Sequence, residues 1–80
     1  MSEHSIRLEW QAKPHTQQSV TYSRDHVAHY SSSTSLPVSA ATEYMGTADL
    51  ADPEQLLVNA LASCHMLYFL ALCEGNGYTV

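Results

Sequence analysis

The feature that most constrains this chain is residues 52–73, DPEQLLVNALASCHMLYFLALC, in which a mostly apolar run follows a short polar start. It opens with a helix start signal, because Asp52 can cap the helix, Pro53 suits its first turn and Gln55 completes a capping box. Leu, Ala, Met and Gln dominate the rest of the stretch, and no further Gly or Pro interrupts them. The stretch therefore predicts one helix over about residues 53–73, roughly 33 Å long.

This predicted helix is apolar on nearly every side. Its polar interruptions are Asn59, Ser63, His65 and the thiol of Cys64. A helix of this kind is either buried on most sides or spans a membrane. The apolar run falls just short of the roughly 20 residues that a span needs, and polar groups interrupt it. We therefore expect a long buried central helix in a soluble protein, with no membrane as partner.

Size and charge limit the possible partners. The chain has 80 residues, a formal net charge of −5 and only 3 lysines and arginines, so one small domain over residues 1–80 is expected and nucleic acid is not. The N-terminus lacks a basic segment followed by an apolar one, and the 2 cysteines and 5 histidines lack metal-ligand spacing. We expect a cytoplasmic protein with free thiols and no metal.

Strand patterns precede the helix. Residues 6–11 alternate apolar with polar side chains, residues 19–30 are rich in Val, Thr and Tyr, and residues 36–41 form a short third strand. Pro37 favours an edge position for the third strand. The chain is therefore expected to be α+β, with a three-stranded antiparallel sheet followed by the helix. Three short strands can cover only one side of that helix, so we expect a second subunit or further chain to cover the rest.

Several motifs resemble a known family. DPEQLL, the ASCH that follows it, the apolar MLYFLAL and the closing GYTV resemble the OsmC/Ohr family of thiol-dependent hydroperoxide reductases, and the upstream YSRDH resembles its OsmC-like branch. The resemblance implies an α+β fold that forms an intertwined homodimer, with central helices wrapped by sheets from both subunits. It also implies a chain nearly twice as long, with a resolving cysteine in its second half. The present sequence resembles the N-terminal half only.

The same resemblance implies a chemistry and its residues. The family reduces organic hydroperoxides, and hydrogen peroxide less well, in defence against oxidative stress. Carried over by position, Cys64 in ASCH matches the peroxidatic cysteine, Glu54 in DPEQL the active-site glutamate and Arg24 in YSRDH the active-site arginine. No bound cofactor is implied, because an external dithiol of the lipoyl type would be the reductant. The implied partners are a second subunit, a peroxide and that thiol reductant.

From the residues alone, Cys64 has two interpretations: a small buried apolar side chain, or a reactive thiolate. Apolar surroundings disfavour the charged form, so the second interpretation needs a cation beside the sulfur. The candidates are Arg7, Lys13 and Arg24, and Arg24 shares a strand face with Tyr22 and His26. Glu54 lies ten positions before Cys64, about 15 Å along one helix. Either the helix breaks between them, or Glu54 serves the Cys64 of a second subunit.

Two neighbours of Cys64 are not expected to act with it directly. Cys73 lies nine positions on, about 13 Å along one helix, whereas the Cα atoms of a disulfide lie about 4.4–6.8 Å apart. His65 points about 100° away around the helix, which disfavours a Cys–His pair. Two functions stay open: peroxide reduction through a Cys64 sulfenic acid, or a truncated and catalytically silent dimerisation or binding module of the same fold.

Overall fold

The structure, a computed structural model, describes residues 2–18 and 20–79. Its regular elements are, in chain order, β1 (Arg7–Glu9), β2 (His26–His29), β3 (Ser35–Val38), a short 3₁₀ turn (Thr42–Tyr44) and the long helix α1 (Pro53–Gly75). The three strands form one antiparallel sheet in the order β1-β2-β3. This confirms the predicted fold class of a three-stranded antiparallel sheet followed by one long helix.

The sheet is small and its third strand is an edge. Ala28 on β2 lies between Leu8 on β1 and Leu36 on β3, so these three residues form the central row of the sheet. Pro37 lies on β3, where an edge position tolerates a residue without an N–H donor. The buried apolar side chains are Ala28, Val38 and Ala41. Such small side chains make a thin core.

Each strand is shorter than the range predicted from the sequence. The predicted ranges were 6–11, 19–30 and 36–41, whereas the paired segments contain 3, 4 and 4 residues. The third strand leaves the sheet at Ser39. The N–H of Ser39 donates to the carbonyl of Ala51 at 2.8 Å and not to a carbonyl of β2. Ser19, the first residue of the predicted second strand, lies outside the described residues.

The first half of the predicted second strand takes an irregular path. Tyr22 forms only an isolated bridge with Pro14, and the indole N–H of Trp10 donates to the carbonyl of Ser23 at 2.9 Å. A side chain thus takes the acceptor that a neighbouring strand would have used. The β-forming composition of this segment does not outweigh these contacts, and regular pairing begins only at His26.

The helix begins where the sequence predicts. The Asp52 carboxylate accepts from the Gln55 N–H at 2.7 Å, and the Gln55 side-chain oxygen accepts from the Asp52 N–H at 3.0 Å, which completes the capping box. The helix runs unbroken to Gly75, two residues beyond the predicted end, and the N–H of Asn76 then donates to the carbonyl of Leu72 at 3.1 Å.

Within the single chain α1 is left uncovered, and its burial by a second subunit or by further chain stays a prediction. Within a single chain its apolar side chains are exposed, with Leu57, Val58 and Leu61 each more than 60% accessible. The molecule is accordingly elongated, measuring 58 × 26 × 19 Å. The physical reason is that, in the described part of the chain, the strands pack on one another and none packs extensively against the 23 residues of α1. By length and composition alone α1 could cross a membrane, a test that the core helix of a soluble protein also passes.

Candidate functional site

Cys64 lies at the middle of α1 and carries a free, exposed thiol. Residues three or four positions away lie on the same side of a helix, and here these include Leu61, Leu67 and Tyr68. Each of them is at least 60% accessible in the single chain. The structure therefore presents the sulfur within an apolar surface of the helix, and not inside a closed core.

The unbroken helix excludes one of the two alternatives for Glu54, a break between Glu54 and Cys64. Because α1 contains both Glu54 and Cys64 without interruption, ten residues separate them by about 15 Å along the axis. The helix does not break, so the Glu54 carboxylate cannot reach the sulfur of its own chain. Glu54 also lies in the first turn of α1, where the helix dipole favours a negative charge.

Cys73 is likewise separated from Cys64 by helix geometry. Nine residues at 100° each place it on the opposite side of α1, about 13 Å along the axis. It is half-buried, and both thiols are free. An intrachain disulfide between them would require α1 to unfold, since its Cα atoms would have to approach to less than about 7 Å.

Arg24 is held by residues that lie outside α1. Its Nη1 donates to the hydroxyl of Thr21 at 3.1 Å and to the carbonyl of Tyr22, and its guanidinium carbon lies 4.1 Å from the centre of the Tyr22 ring. Its Nη2 contacts Sδ of Met45 at 3.7 Å. The sulfur beside Arg24 in this chain is therefore that of Met45 and not that of Cys64.

The position of Arg24 is supported by an aromatic stack. The rings of Trp10 and Tyr22 meet edge to face, with centres 5.9 Å apart at an angle of 82°. The Arg24 guanidinium also lies over the Tyr22 ring, so Trp10, Tyr22 and Arg24 pack in a row that ends in a cation. The structure does not bring Arg24, Glu54 and Cys64 together within one chain, and their catalytic roles stay predictions.

A hydrogen-bond network next to Arg24 was not predicted from the sequence. The Oδ1 of Asp25 accepts from the hydroxyl of Thr47 at 2.7 Å and from that of Ser39 at 2.8 Å. The hydroxyl oxygen of Ser39, a fully buried residue, accepts in turn from the Thr47 N–H at 3.0 Å. The Thr47 hydrogen bond is the main cause that lowers the pKa of Asp25; the Ser39 hydrogen bond acts in the same direction, and partial burial acts against both.

These contacts fix residues 42–47, which we call the Met45 loop. Met45 adopts a left-handed backbone conformation with φ 68° and ψ 26°, which is uncommon for a residue other than glycine. Its carbonyl accepts from Nε2 of His15 at 2.8 Å, and Nδ1 of His15 accepts from the N–H of Gln17 at 3.0 Å. The tautomer of His15 that carries its proton on Nε2 satisfies both bonds.

The loop also depends on a close backbone approach at Gly46. A Cβ atom there would lie 1.5 Å from the carbonyl oxygen of Ala40, so only glycine fits. One signal in the sequence could have pointed to this region, namely the charged pair Arg24-Asp25 inside an otherwise strand-like segment. Met45 itself carried no such signal, because its contact with Arg24 spans 21 positions. Within residues 2–18 and 20–79, no group of three or more His, Cys, Asp or Glu side chains could hold a metal ion.

Comparison with known proteins identifies the family. No family model and no curated protein matches the chain. A similar solved structure is that of an OsmC-like protein of unknown function from Vibrio cholerae, with a TM-score of 0.81 and 31% sequence identity. The similarity covers 95% of this chain and 53% of that one, so the chain spans about half the length of its structural relative. Both the fold and the sequence identity lead to one conclusion: the chain belongs to the OsmC-like family.

Proposed function

We propose that this chain takes part in the reduction of organic hydroperoxides through Cys64. The observation that carries the proposal is the exposed free thiol at the centre of an unbroken apolar helix in an OsmC-like fold. A free thiol can form the thiolate that attacks a peroxide and later exchanges with a thiol reductant, which the chemistry requires. The helix surface around it suits the alkyl part of an organic hydroperoxide, since that surface consists of leucine and tyrosine side chains.

The proposed reaction has two stages. The Cys64 thiolate attacks the terminal oxygen of the hydroperoxide, so that the S–O bond forms, the O–O bond breaks and the alkoxide takes a proton to leave as an alcohol. The resulting sulfenic acid then loses water to one thiol of an external dithiol. The second thiol of that dithiol displaces Cys64, which returns as a thiolate while the dithiol leaves as a disulfide.

A second copy of the chain would complete the site. Glu54 cannot reach the sulfur of its own helix, and Arg24 contacts residues of its own sheet. A guanidinium has five N–H donors, and the contacts with Thr21, Tyr22 and Met45 use three of them. Two donors are left for a thiolate or a peroxide oxygen. In the proposed homodimer Arg24 stabilises the thiolate and the developing charge, and Glu54 orients Arg24. A cytoplasmic location suits its free thiols.

The alternative is a catalytically silent dimerisation module of the same fold. The observation that favours it is that Arg24, Glu54 and Cys64 do not meet within one chain. Such a module would keep the apolar face of α1 for association and would leave the thiol unused. Oligomeric state therefore does not separate the two functions, and turnover does.

The test is peroxide consumption with tert-butyl hydroperoxide as substrate and dihydrolipoamide as reductant. We expect the unmodified chain to consume peroxide and Cys64→Ser to lose that activity. Cys73→Ser is the matched control, because it removes a thiol from the opposite side of the same helix. Cys73→Ser should retain the activity. Equal rates for the unmodified chain and Cys64→Ser would overturn the proposal and favour the silent module.

A further inference from the structure

The contact between Arg24 and Met45 points to a second peroxide-reactive sulfur. We propose that Met45 is a modification site, at which organic hydroperoxides oxidise the thioether to the sulfoxide with the help of the Arg24 guanidinium. The inference shares with the proposed function the idea that Arg24 binds peroxide oxygens, and it requires no reaction at Cys64. Its substrate class is the hydroperoxide, and its product is a methionine sulfoxide that sulfoxide reductases can reverse.

Met45 is an exposed residue whose thioether contacts a cation. The residue is 47% exposed, and its Sδ lies 3.7 Å from Nη2 of Arg24. The backbone on either side is fixed, because His15 binds the carbonyl of Met45 at 2.8 Å and Asp25 binds the hydroxyl of Thr47 at 2.7 Å. The left-handed backbone of Met45 is an uncommon conformation that such contacts can maintain. These contacts hold the backbone from which the thioether reaches the cation.

The chemistry balances without any further oxidant. A lone pair of Sδ attacks the terminal oxygen of the hydroperoxide, the S–O bond forms and the O–O bond breaks, and the sulfur gives up two electrons. The departing alkoxide takes the proton of the transferred hydroxyl, directly or through a water molecule, so that the products are the sulfoxide and an alcohol. A guanidinium N–H aimed at that departing oxygen stabilises its developing negative charge. Arg24 has unused N–H donors for this task in addition to the one that contacts the sulfur.

Oxidation would change what Arg24 is bound to. A thioether sulfur is a weak acceptor, whereas a sulfoxide oxygen accepts strongly from a guanidinium and forms a charge-assisted bond. Met45 sulfoxide would therefore fasten Arg24 to the Met45 loop. Because the proposed function needs Arg24 at a thiolate, this oxidation would lower peroxidase turnover until the sulfoxide is reduced.

The chain contains its own control for access. Met66 lies on α1 and is 52% exposed, close to the 47% of Met45. In the described residues 2–18 and 20–79, Arg24 donates a hydrogen bond to the sulfur of Met45, and Met66 has no such bond from Arg24. Because association would cover α1, the effect of the cation is read from the change in the Met45 rate between the chain with Arg24 and Arg24→Gln, and the Met66 rate reports whether α1 is covered. N-acetylmethionine amide in the same solution provides the rate of a fully exposed thioether.

The experiment uses the chain carrying Cys64→Ser and Cys73→Ser, so that neither thiol contributes. It is treated with tert-butyl hydroperoxide, and the gain of one oxygen atom at each methionine is followed by peptide mass spectrometry. We expect Met45 to be oxidised about three- to tenfold faster than Met66 and the free model compound. That factor is what one exposed hydrogen bond from the Arg24 guanidinium to the departing oxygen can contribute in the transition state. In Arg24→Gln the Met45 rate should fall to that of the model compound, and Arg24→Lys should retain part of the excess.

Two results would overturn the inference. One is a Met45 rate no higher than that of the model compound in the chain that carries Arg24. The other is an unchanged Met45 rate in both Arg24→Gln and Arg24→Lys, with Trp10 fluorescence showing that the sheet is intact. Because Cys64 is absent from this experiment, its failure leaves the proposed function standing. Conversely, equal peroxide consumption by the unmodified chain and Cys64→Ser would overturn the proposed function and would leave the proposed oxidation of Met45 standing.

Discussion

Replacing Asp25 should weaken the fold more than its exposed position suggests. In Asp25→Ala the hydroxyls of Thr47 and Ser39 lose their shared acceptor, at 2.7 and 2.8 Å. A hydrogen bond to a charged group contributes about 1.5–3 kcal/mol, and partial exposure places each of these at or below the lower end. The buried Ser39 hydroxyl also loses its acceptor, so the sum is a loss of about 2–4 kcal/mol in the free energy of unfolding.

Asp25→Asn separates shape from charge at the same position. Its amide oxygen can still accept from both hydroxyls, so the expected loss at neutral pH is smaller, about 0.5–1.5 kcal/mol. The folded state lowers the pKa of Asp25, so its carboxylate stabilises the fold above the pKa of the unfolded chain, and this contribution is lost as pH falls through the folded-state pKa. The difference between the unmodified chain and Asp25→Asn should therefore shrink below about pH 4.

The assay is urea unfolding followed by fluorescence of Trp10, the single tryptophan, whose indole is bonded to Ser23 two residues from Asp25. Asp49→Asn is the control for charge alone, since Asp49 is exposed and makes no side-chain hydrogen bond within the described part of the chain. It should change stability by less than about 0.5 kcal/mol. Two results would refute this account. One is a loss in the free energy of unfolding for Asp25→Ala that is no larger than the loss for Asp49→Asn. The other is a difference in stability between the unmodified chain and Asp25→Asn that grows as the pH falls.

Local geometry yields three further predictions. Asp52→Ala removes the 2.7 Å cap of α1 and should cost about 1 kcal/mol in a thermal melt followed by circular dichroism, whereas Asp49→Ala should cost little. Gly46→Ala would place a Cβ atom 1.5 Å from the Ala40 carbonyl oxygen and should destabilise the fold by about 2 kcal/mol or more. Gly75→Ala is the control, because its Cβ atom would meet no atom within 4 Å and should leave stability unchanged or raise it. Equal losses of stability in the two variants would contradict the close approach at Gly46. Mild oxidation of the native chain should give no bond between Cys64 and Cys73 of one chain, and a peptide map that found it would show that α1 opens.

The helix was predictable because its signals are local. Asp52, Pro53 and Gln55 lie within four positions of one another, and the structure forms the capping box that they predict. The edge position of the third strand was also predictable, because Pro37 lacks the donor that a central strand needs. Signals of this kind act within a few residues and do not depend on what the chain contacts elsewhere.

The strand limits and the Met45 loop were not predictable from the sequence, because distant residues decide them. Trp10 takes the carbonyl of Ser23 over a separation of 13 positions, which keeps that part of the predicted second strand out of the sheet. Arg24 and Met45 are separated by 21 positions, and no periodic pattern connects a charged residue in a strand-like segment with a methionine in a loop. The same holds for Asp25 and Thr47, which lie 22 positions apart.

The exposed helix and the occupied arginine have a common consequence for the proposed function. A single chain keeps the Cys64 face of α1 uncovered, and it keeps Arg24 beside Tyr22 and Met45. Apolar area of that extent favours association, because burying it releases about 25 cal/mol for each Å² removed from water. The same association is the step that could deliver a guanidinium to the thiol. On the proposed function, the hydrophobic effect that covers α1 and the electrostatics that activate Cys64 are therefore parts of one event, with Met45 competing with Cys64 for Arg24.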